Sequence, residues 1–215
     1  MYRNFVKRIF DVIFSLLGMI ILSPLLLCVA LAIKIDDRGP ALFRQKRVGT
    51  KKSDFWLYKF RSMKTNSPDV PTHLFNDSKK YINRVGRFIR KTSIDELPQL
   101  WNIFRGDMSI VGPRPALWNQ YDLIAARDKY GANDIKPGLT GWAQINGRDE
   151  LEIPVKAKLD GEYVAALTSG GFKGFKMDIK CFFGTFFSVL KSDGMVEGGT
   201  GDLKNAAEEK DFVTK

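Results

Sequence analysis

The chain has 215 residues, 44% of them apolar, which suits one domain of ordinary size with appendages. Its two cysteines, Cys28 and Cys181, lie far apart in apolar runs, and with His73 as the single histidine they argue against a disulfide framework, structural zinc and histidine-centred triads. The net charge of +10 is regional: residues 1–114 carry 21 basic and 9 acidic side chains and the remainder 13 and 15, so the first half calls for an anionic partner.

The first element is apolar. Val12 to Ile33 is 22 residues without a charge, which as helix would run about 33 Å, enough to cross a hydrocarbon core of roughly 30 Å. Arg3, Lys7 and Arg8 ahead of it resemble the start of a secretory signal, but the run exceeds a usual signal core of roughly 7 to 15 residues. Ser23-Pro24 sits at its centre, where proline removes a backbone hydrogen bond, so a break or kink is expected. Both flanks are cationic, with Lys34, Arg38, Arg44, Lys46 and Arg47 following the run. The positive-inside preference then favours a helix-break-helix that enters one leaflet and returns over a straight span, with a kinked span as the open alternative.

After an exit turn at Asp36-Asp37-Arg38-Gly39-Pro40, residues 41–48 and 55–61 read as a short β-hairpin, whose second strand places Lys59 and Arg61 on one face. Residues 64–78 are polar, with Pro68 and Pro71, and read as a loop. Ile82, Val85 and Ile89 mark a short helix with Arg84, Arg87, Arg90 and Lys91 on its other face, either solvated or turned to an anion. Helices are expected over about 116–130, capped by Gly131, over 154–167 and over 172–191. The last carries Phe172, Phe175, Phe182, Phe183, Phe186 and Phe187 among lysines, a pattern shared by core helices and membrane-interfacial ones. The fold class expected is α+β, mainly helical: a re-entrant membrane helix over 1–36, a catalytic domain with a short hairpin and interfacial amphipathic helices over 37–191, and a mobile tail over 192–215.

The densest chemistry lies at Thr92-Ser93-Ile94-Asp95-Glu96-Leu97-Pro98. Ser93-x-x-Glu96 fits a capping box, and Asp95 is the alternative cap; in either register Asp95 meets a positive helix end. With arginines nearby, its pKa should be depressed, leaving an anionic nucleophile or metal ligand, unless the segment is helix capping and nothing more. Gly112-Pro113-Arg114-Pro115 and Pro137-Gly138-Leu139-Thr140-Gly141-Trp142, with Arg148 beyond, offer glycines that admit a ligand close to the backbone and guanidiniums suited to phosphate.

Taken together, Ser23-Pro24, Tyr58-Lys59-Phe60-Arg61-Ser62-Met63, Asp95-Glu96-Leu97-Pro98-Gln99-Leu100, Gly112-Pro113-Arg114-Pro115 and Pro137 to Trp142 resemble the small monotopic phosphoglycosyl transferases of bacteria, the bacterial sugar transferase family, over nearly the whole chain. The resemblance implies an enzyme of the bacterial cytoplasmic membrane with its site on the cytoplasmic face. It would move a sugar-1-phosphate from a UDP-sugar, N-acetylated hexosamine by preference, to polyprenyl phosphate, releasing UMP and using Mg²⁺. Asp95 would attack the β-phosphate, forming a covalent phosphosugar intermediate, and also serve as metal ligand. Glu96 would assist the second step as base or metal ligand. Lys59 and Arg114 by resemblance, and Arg61, Arg90 and Arg148 by charge and position, are the candidates for phosphate and uridine contacts. No nucleic-acid partner is expected on this reading; oligomeric state, glycan pathway and the choice of sugar are left open. The alternative is a membrane-anchored basic module, with Trp56, Tyr58, Phe60, Lys59 and Arg61 binding nucleic acid or anionic lipid without turnover.

Overall fold

The computed structural model describes residues 2–65, 67, 81–147, 150–170 and 172–191. Most of the loop expected over 64–78, the tail beyond Ser192 and Arg148 lie outside these residues. The described chain is mainly helical with two small two-stranded sheets.

Helix α1, Lys7–Asp36, holds the whole apolar run and has the length and composition to cross a membrane. It is one helix, not the two expected from Ser23-Pro24. Pro24 has no N–H for the carbonyl of Ile20, four residues back, but the Ser23 hydroxyl donates to that same oxygen at 2.7 Å. The serine thus supplies the bond that the proline removes, and the helix continues through the pair.

The domain follows α1 from end to end. Lys7 is 2.6 Å from Asp178, and Asp11 accepts from the Ser109 hydroxyl and the Ile110 N–H at 3.0 and 2.9 Å. Met19 and Leu22 pack against Leu57, Leu100, Ile103 and Met108. Val29 and Ile33 join Phe60 and Ile89 in a second buried cluster. At the exit, Asp36 accepts from the Val85 N–H at 3.1 Å and Asp37 lies 3.1 Å from Arg61. The remaining faces of α1 expose Ile13, Phe14, Leu17, Ile20, Ile21, Leu27 and Leu31.

Strands β1, Leu42–Val48, and β2, Asp54–Phe60, form the expected hairpin, with Phe43 opposite Lys59 and Arg47 opposite Phe55. β2 ends at the buried Phe60, so the alternation that put Lys59 and Arg61 on one face stops before Arg61. Helix α2, Arg84–Lys91, is capped by the Asn83 side chain, which accepts from the Gly86 N–H. It buries Ile89, exposes Arg84, Arg87 and Lys91, and turns Arg90 inward. Helix α3, Gln99–Arg105, follows the Asp95 segment.

The glycine-rich motifs build a second sheet: β3, Ser109–Val111, runs parallel to β4, Gly138–Thr140. Here the glycines serve chain-to-chain approach rather than the ligand approach expected of them. A Cβ on Gly138 would lie 2.1 Å from the Gly112 nitrogen, and one on Gly141 would lie 2.1 Å from the Gly112 oxygen. Helix α4, Tyr121–Asp128, starts later than the expected 116. Ala116 and Leu117 are held beside the end of β1, Ala116 accepting from the Val48 N–H at 3.0 Å and Leu117 bridging to Arg47. A short helix α5, Trp142–Ile145, precedes α6, Ile153–Thr168, and α7, Lys173–Lys191, the last two within a residue of their expected bounds. Val111, Ile135, Tyr163, Leu167 and Cys181 form the core between these helices and the second sheet. Both cysteines are free, Cys181 buried and Cys28 exposed. On its outer side α7 exposes Ile179, Phe182, Phe183, Phe186 and Phe187, with Phe172 exposed just ahead of it.

Candidate functional site

The Asp95 segment is a 3-10 turn, Ile94–Glu96, between α2 and α3. No capping box forms: Ser93 adopts a left-handed conformation at φ +56° and its hydroxyl caps nothing. Helix α3 begins only at Gln99, after Pro98. Asp95 and Glu96 therefore sit in a tight turn ahead of the helix, not in its first turn.

Three other elements converge on this turn. Lys59 comes from β2, Arg90 from α2, and Arg114 from the segment after β3; the charges of all three act on Asp95. Arg114 grips Glu96 with both terminal guanidinium nitrogens, Nη2 at 2.6 Å and Nη1 at 3.3 Å, in the forked geometry that suits a carboxylate. Asp95 has no side-chain hydrogen bond or ion pair among the described residues. The Arg90 Nη1 is buried and likewise lacks a hydrogen-bond partner among them.

Electrostatics corrects one expectation. The Asp95 carboxyl is pushed up to about 6, not depressed: burial is the largest cause and the Glu96 charge the next, against the opposing pull of Lys59, Arg90 and Arg114. Near pH 7 it is still mostly ionised. The Lys59 ammonium is brought down to about 8 by burial and then by the nearby Arg47, with Asp95 pulling the other way. Burial thus moves both Asp95 and Lys59 toward their neutral forms.

Residues without an obvious motif hold the cluster together. Asn102 on α3 is fully buried, accepts from the Tyr58 N–H at 3.0 Å, and donates to the Trp56 carbonyl at 2.7 Å and to Asp107 at 3.1 Å. It fastens the strand that carries Lys59 to the helix that follows the dyad. Arg47 on β1 donates to the Pro115 carbonyl at 2.9 Å. Its only signal in the sequence is membership of the cationic run after α1. Arg61 is elsewhere: nearly all buried, it donates to the Asp37 carbonyl and pairs with the Asp37 carboxylate, closing the exit of α1 rather than joining the dyad. A separate cavity of about 320 Å³ lies at the start of α1, lined by Arg3, Lys7, Arg8 and Lys136 among others, and contains none of the cluster.

Among the described residues no group of three His, Cys, Asp or Glu stands ready to cage a metal. The donor set fits a hard cation of the magnesium type all the same. Such ions keep several waters and are held by one or two carboxylates plus substrate phosphates. Asp95 supplies one uncommitted carboxylate, whereas Glu96 is engaged by Arg114.

The profile of a family described as bacterial sugar transferase matches residues 2–192. The chain is 44% identical over 188 residues to an undecaprenyl-phosphate glucose phosphotransferase of Komagataeibacter xylinus, covering 82% of this chain and 34% of that protein. It is 35% identical over 198 residues to a UDP-N-acetylgalactosamine-undecaprenyl-phosphate N-acetylgalactosaminephosphotransferase of Aeromonas hydrophila, covering 88% of this chain and 45% of that one. With the uncharacterized sugar transferase EpsL of Bacillus subtilis it shares 38% identity over 189 residues, 88% of this chain and 89% of the relative. The chain thus spans a third to a half of the two relatives with a named sugar.

Proposed function

The chain belongs to the bacterial sugar transferase family, and from that premise we propose that it transfers a sugar-1-phosphate from a UDP-sugar to polyprenyl phosphate with release of UMP. The observation that carries the reading is the convergence of Lys59, Arg90 and Arg114 on an Asp95–Glu96 pair in which Asp95 is half-buried and has no side-chain hydrogen bond or ion pair among the described residues.

In the first step an Asp95 oxygen attacks the β-phosphorus as the bond from that phosphorus to the bridging oxygen breaks, and UMP leaves. An aspartyl phosphosugar remains. In the second step an oxygen of the lipid phosphate attacks the same phosphorus, the acyl phosphate bond breaks and Asp95 is restored. Lys59, Arg90 and Arg114 offset the charge that gathers when a diphosphate and then a second phosphate approach two carboxylates. Glu96, oriented by Arg114, faces the incoming lipid phosphate. Magnesium, when bound by Asp95 and substrate phosphates, supplies charge neutralisation at the phosphoryl oxygens.

For the membrane we propose that both ends of α1 lie on the cytoplasmic side. At 1.5 Å per residue its 30 residues run about 45 Å. Support comes from the contacts at its two ends: Lys7 and Asp11 meet Asp178, Ser109 and Ile110, while Asp36 and Asp37 meet Val85 and Arg61 of the same domain. A span crossing from one side to the other would have to part from the domain along the way. The exposed phenylalanines of α7 extend the apolar surface, with Phe175 packed on Phe10 in the first turn of α1 and on Tyr2 ahead of it, as an interfacial helix would.

The relatives' names divide between glucose and N-acetylgalactosamine, so the N-acetylated donor remains a proposal alongside a plain hexose. A panel of UDP-sugars assayed for UMP release with polyprenyl phosphate tests both the reaction and the donor. Multiple-turnover release that needs both substrates supports the reading, and no release with any UDP-sugar overturns it.

A further inference from the structure

The segment that delivers Arg114 to Glu96 is held in an unusual way. Prolines at 113 and 115 have no N–H, so the segment is fastened through its carbonyls. Four consecutive carbonyls accept hydrogen bonds: Pro113 from the Gly138 N–H at 2.8 Å, Arg114 from Arg127 Nη1 at 2.9 Å, Pro115 from Arg47 Nη1 at 2.9 Å and Ala116 from the Val48 N–H at 3.0 Å. Neighbouring strands supply two of these donors, and guanidiniums on other elements supply the other two.

Arg127 on α4 is 3% exposed and its partner Asp160 on α6 is 1% exposed. Its Nε donates to Asp160 at 2.8 Å and its Nη2 lies 2.6 Å from the same oxygen, which leaves Nη1 for Arg114. A buried ion pair adds little net stability over an apolar pair of similar volume, so stability alone is a poor reason for this one. It does give three fixed donors in one plane, two on a carboxylate and one on the main chain of a residue that reaches the dyad.

We infer that Arg127, held by Asp160, is a positioning residue for the transfer reaction: it fixes the backbone of Arg114 so that the Arg114 fork stays on Glu96. The inference rests on the reading of Asp95–Glu96 as the reacting pair. Arg127 touches neither carboxylate of the pair, so its effect must pass through Arg114.

The test is a double-mutant cycle on purified full-length protein, with kcat, KM for the UDP-sugar and the thermal midpoint recorded for each variant. Arg127→Lys keeps a positive charge for Asp160 but offers one nitrogen in place of three. It should lower kcat about 10- to 100-fold, the usual range for residues that orient a catalytic group, with a smaller change in KM. In an Arg114→Lys background the same substitution should cost less than about twofold, because the residue it positions is already gone. Loss by the same factor in both backgrounds overturns the inference, and so does an unchanged kcat in the otherwise intact protein. If Arg127→Lys does not fold, Asp160→Asn is read through the same cycle with the same two outcomes. Failure of the underlying reading looks different: Asp95→Asn and Glu96→Gln would then keep activity whatever the cycle gives.

Discussion

Replacing Asn102 by leucine, a somewhat larger but apolar side chain, should show how the dyad's surroundings are held. The side chain is fully buried and makes three hydrogen bonds, to the Tyr58 N–H, the Trp56 carbonyl and Asp107. Asp107 also lies 3.6 Å from Arg105 and keeps that partner, but the two backbone groups on β2 are left facing leucine. Each stranded group costs about 1 to 3 kcal/mol, and better burial of leucine returns about 1 kcal/mol, so the net loss is about 3 kcal/mol. At roughly 2 to 4 °C per kcal/mol for a chain of this size, the thermal midpoint in detergent should fall by about 10 °C. Activity should fall further than folding does. Lys59 sits one residue beyond Tyr58 on the strand that Asn102 fastens, so kcat/KM for the UDP-sugar, assayed well below the midpoint, should drop about tenfold. A midpoint within about 2 °C of the parent, or unchanged kcat/KM in a destabilised variant, would refute the idea that Asn102 joins Lys59 to the dyad.

Because the Lys59 ammonium is charged below about 8 and loses its proton as the pH rises through that value, the KM for the UDP-sugar should climb above about pH 8; Lys59→Arg, which stays charged, should remove that limb, and an identical profile in the variant would contradict the assignment. Steady-state kinetics should follow a ping-pong pattern, with parallel double-reciprocal lines for UDP-sugar and polyprenyl phosphate, whereas intersecting lines would favour direct transfer. For topology, single cysteines at positions 2 and 36, in a variant lacking Cys28 and Cys181, should both resist a membrane-impermeant thiol reagent in intact cells. Labelling of position 2 would place the two ends of α1 on opposite sides.

Much of the fold is legible in the amino-acid sequence, for reasons that differ by element. Val12 to Ile33, the hairpin and helices α6 and α7 announce themselves through long apolar runs or steady periodicity, and their bounds are close to those read from the pattern. The parallel sheet is not legible there. Strands of three residues carry no readable period, and glycines that let Gly138 pack on Gly112 look the same in sequence as glycines that admit a ligand. At Ser23-Pro24 the expected break into two helices is absent, because proline's missing bond is visible in sequence and the serine's replacement of it is not. In the site, Asp95, Glu96, Lys59, Arg90 and Arg114 are identifiable from local chemistry and motif, and they do converge. Their supports are not: Asn102, Arg47, Arg127 and Asp160 act on Tyr58, Pro115, Arg114 and one another over separations of 13 to 68 positions, which only the folded chain brings together. The direction of the Asp95 shift escapes the sequence for the same reason, since a helix end can be read locally and burial cannot.

The central claim is that Asp95 is the nucleophile, and the intact mass of the protein tests it most directly. Incubated with its UDP-sugar and magnesium but no lipid acceptor, the protein should gain the mass of one sugar phosphate, release one UMP per chain, and lose the added mass when polyprenyl phosphate is supplied. Asp95→Asn should show neither adduct nor UMP, since an amide does not attack phosphorus. An adduct that persists in Asp95→Asn, or full turnover of the parent protein with no adduct at any time, would contradict the account.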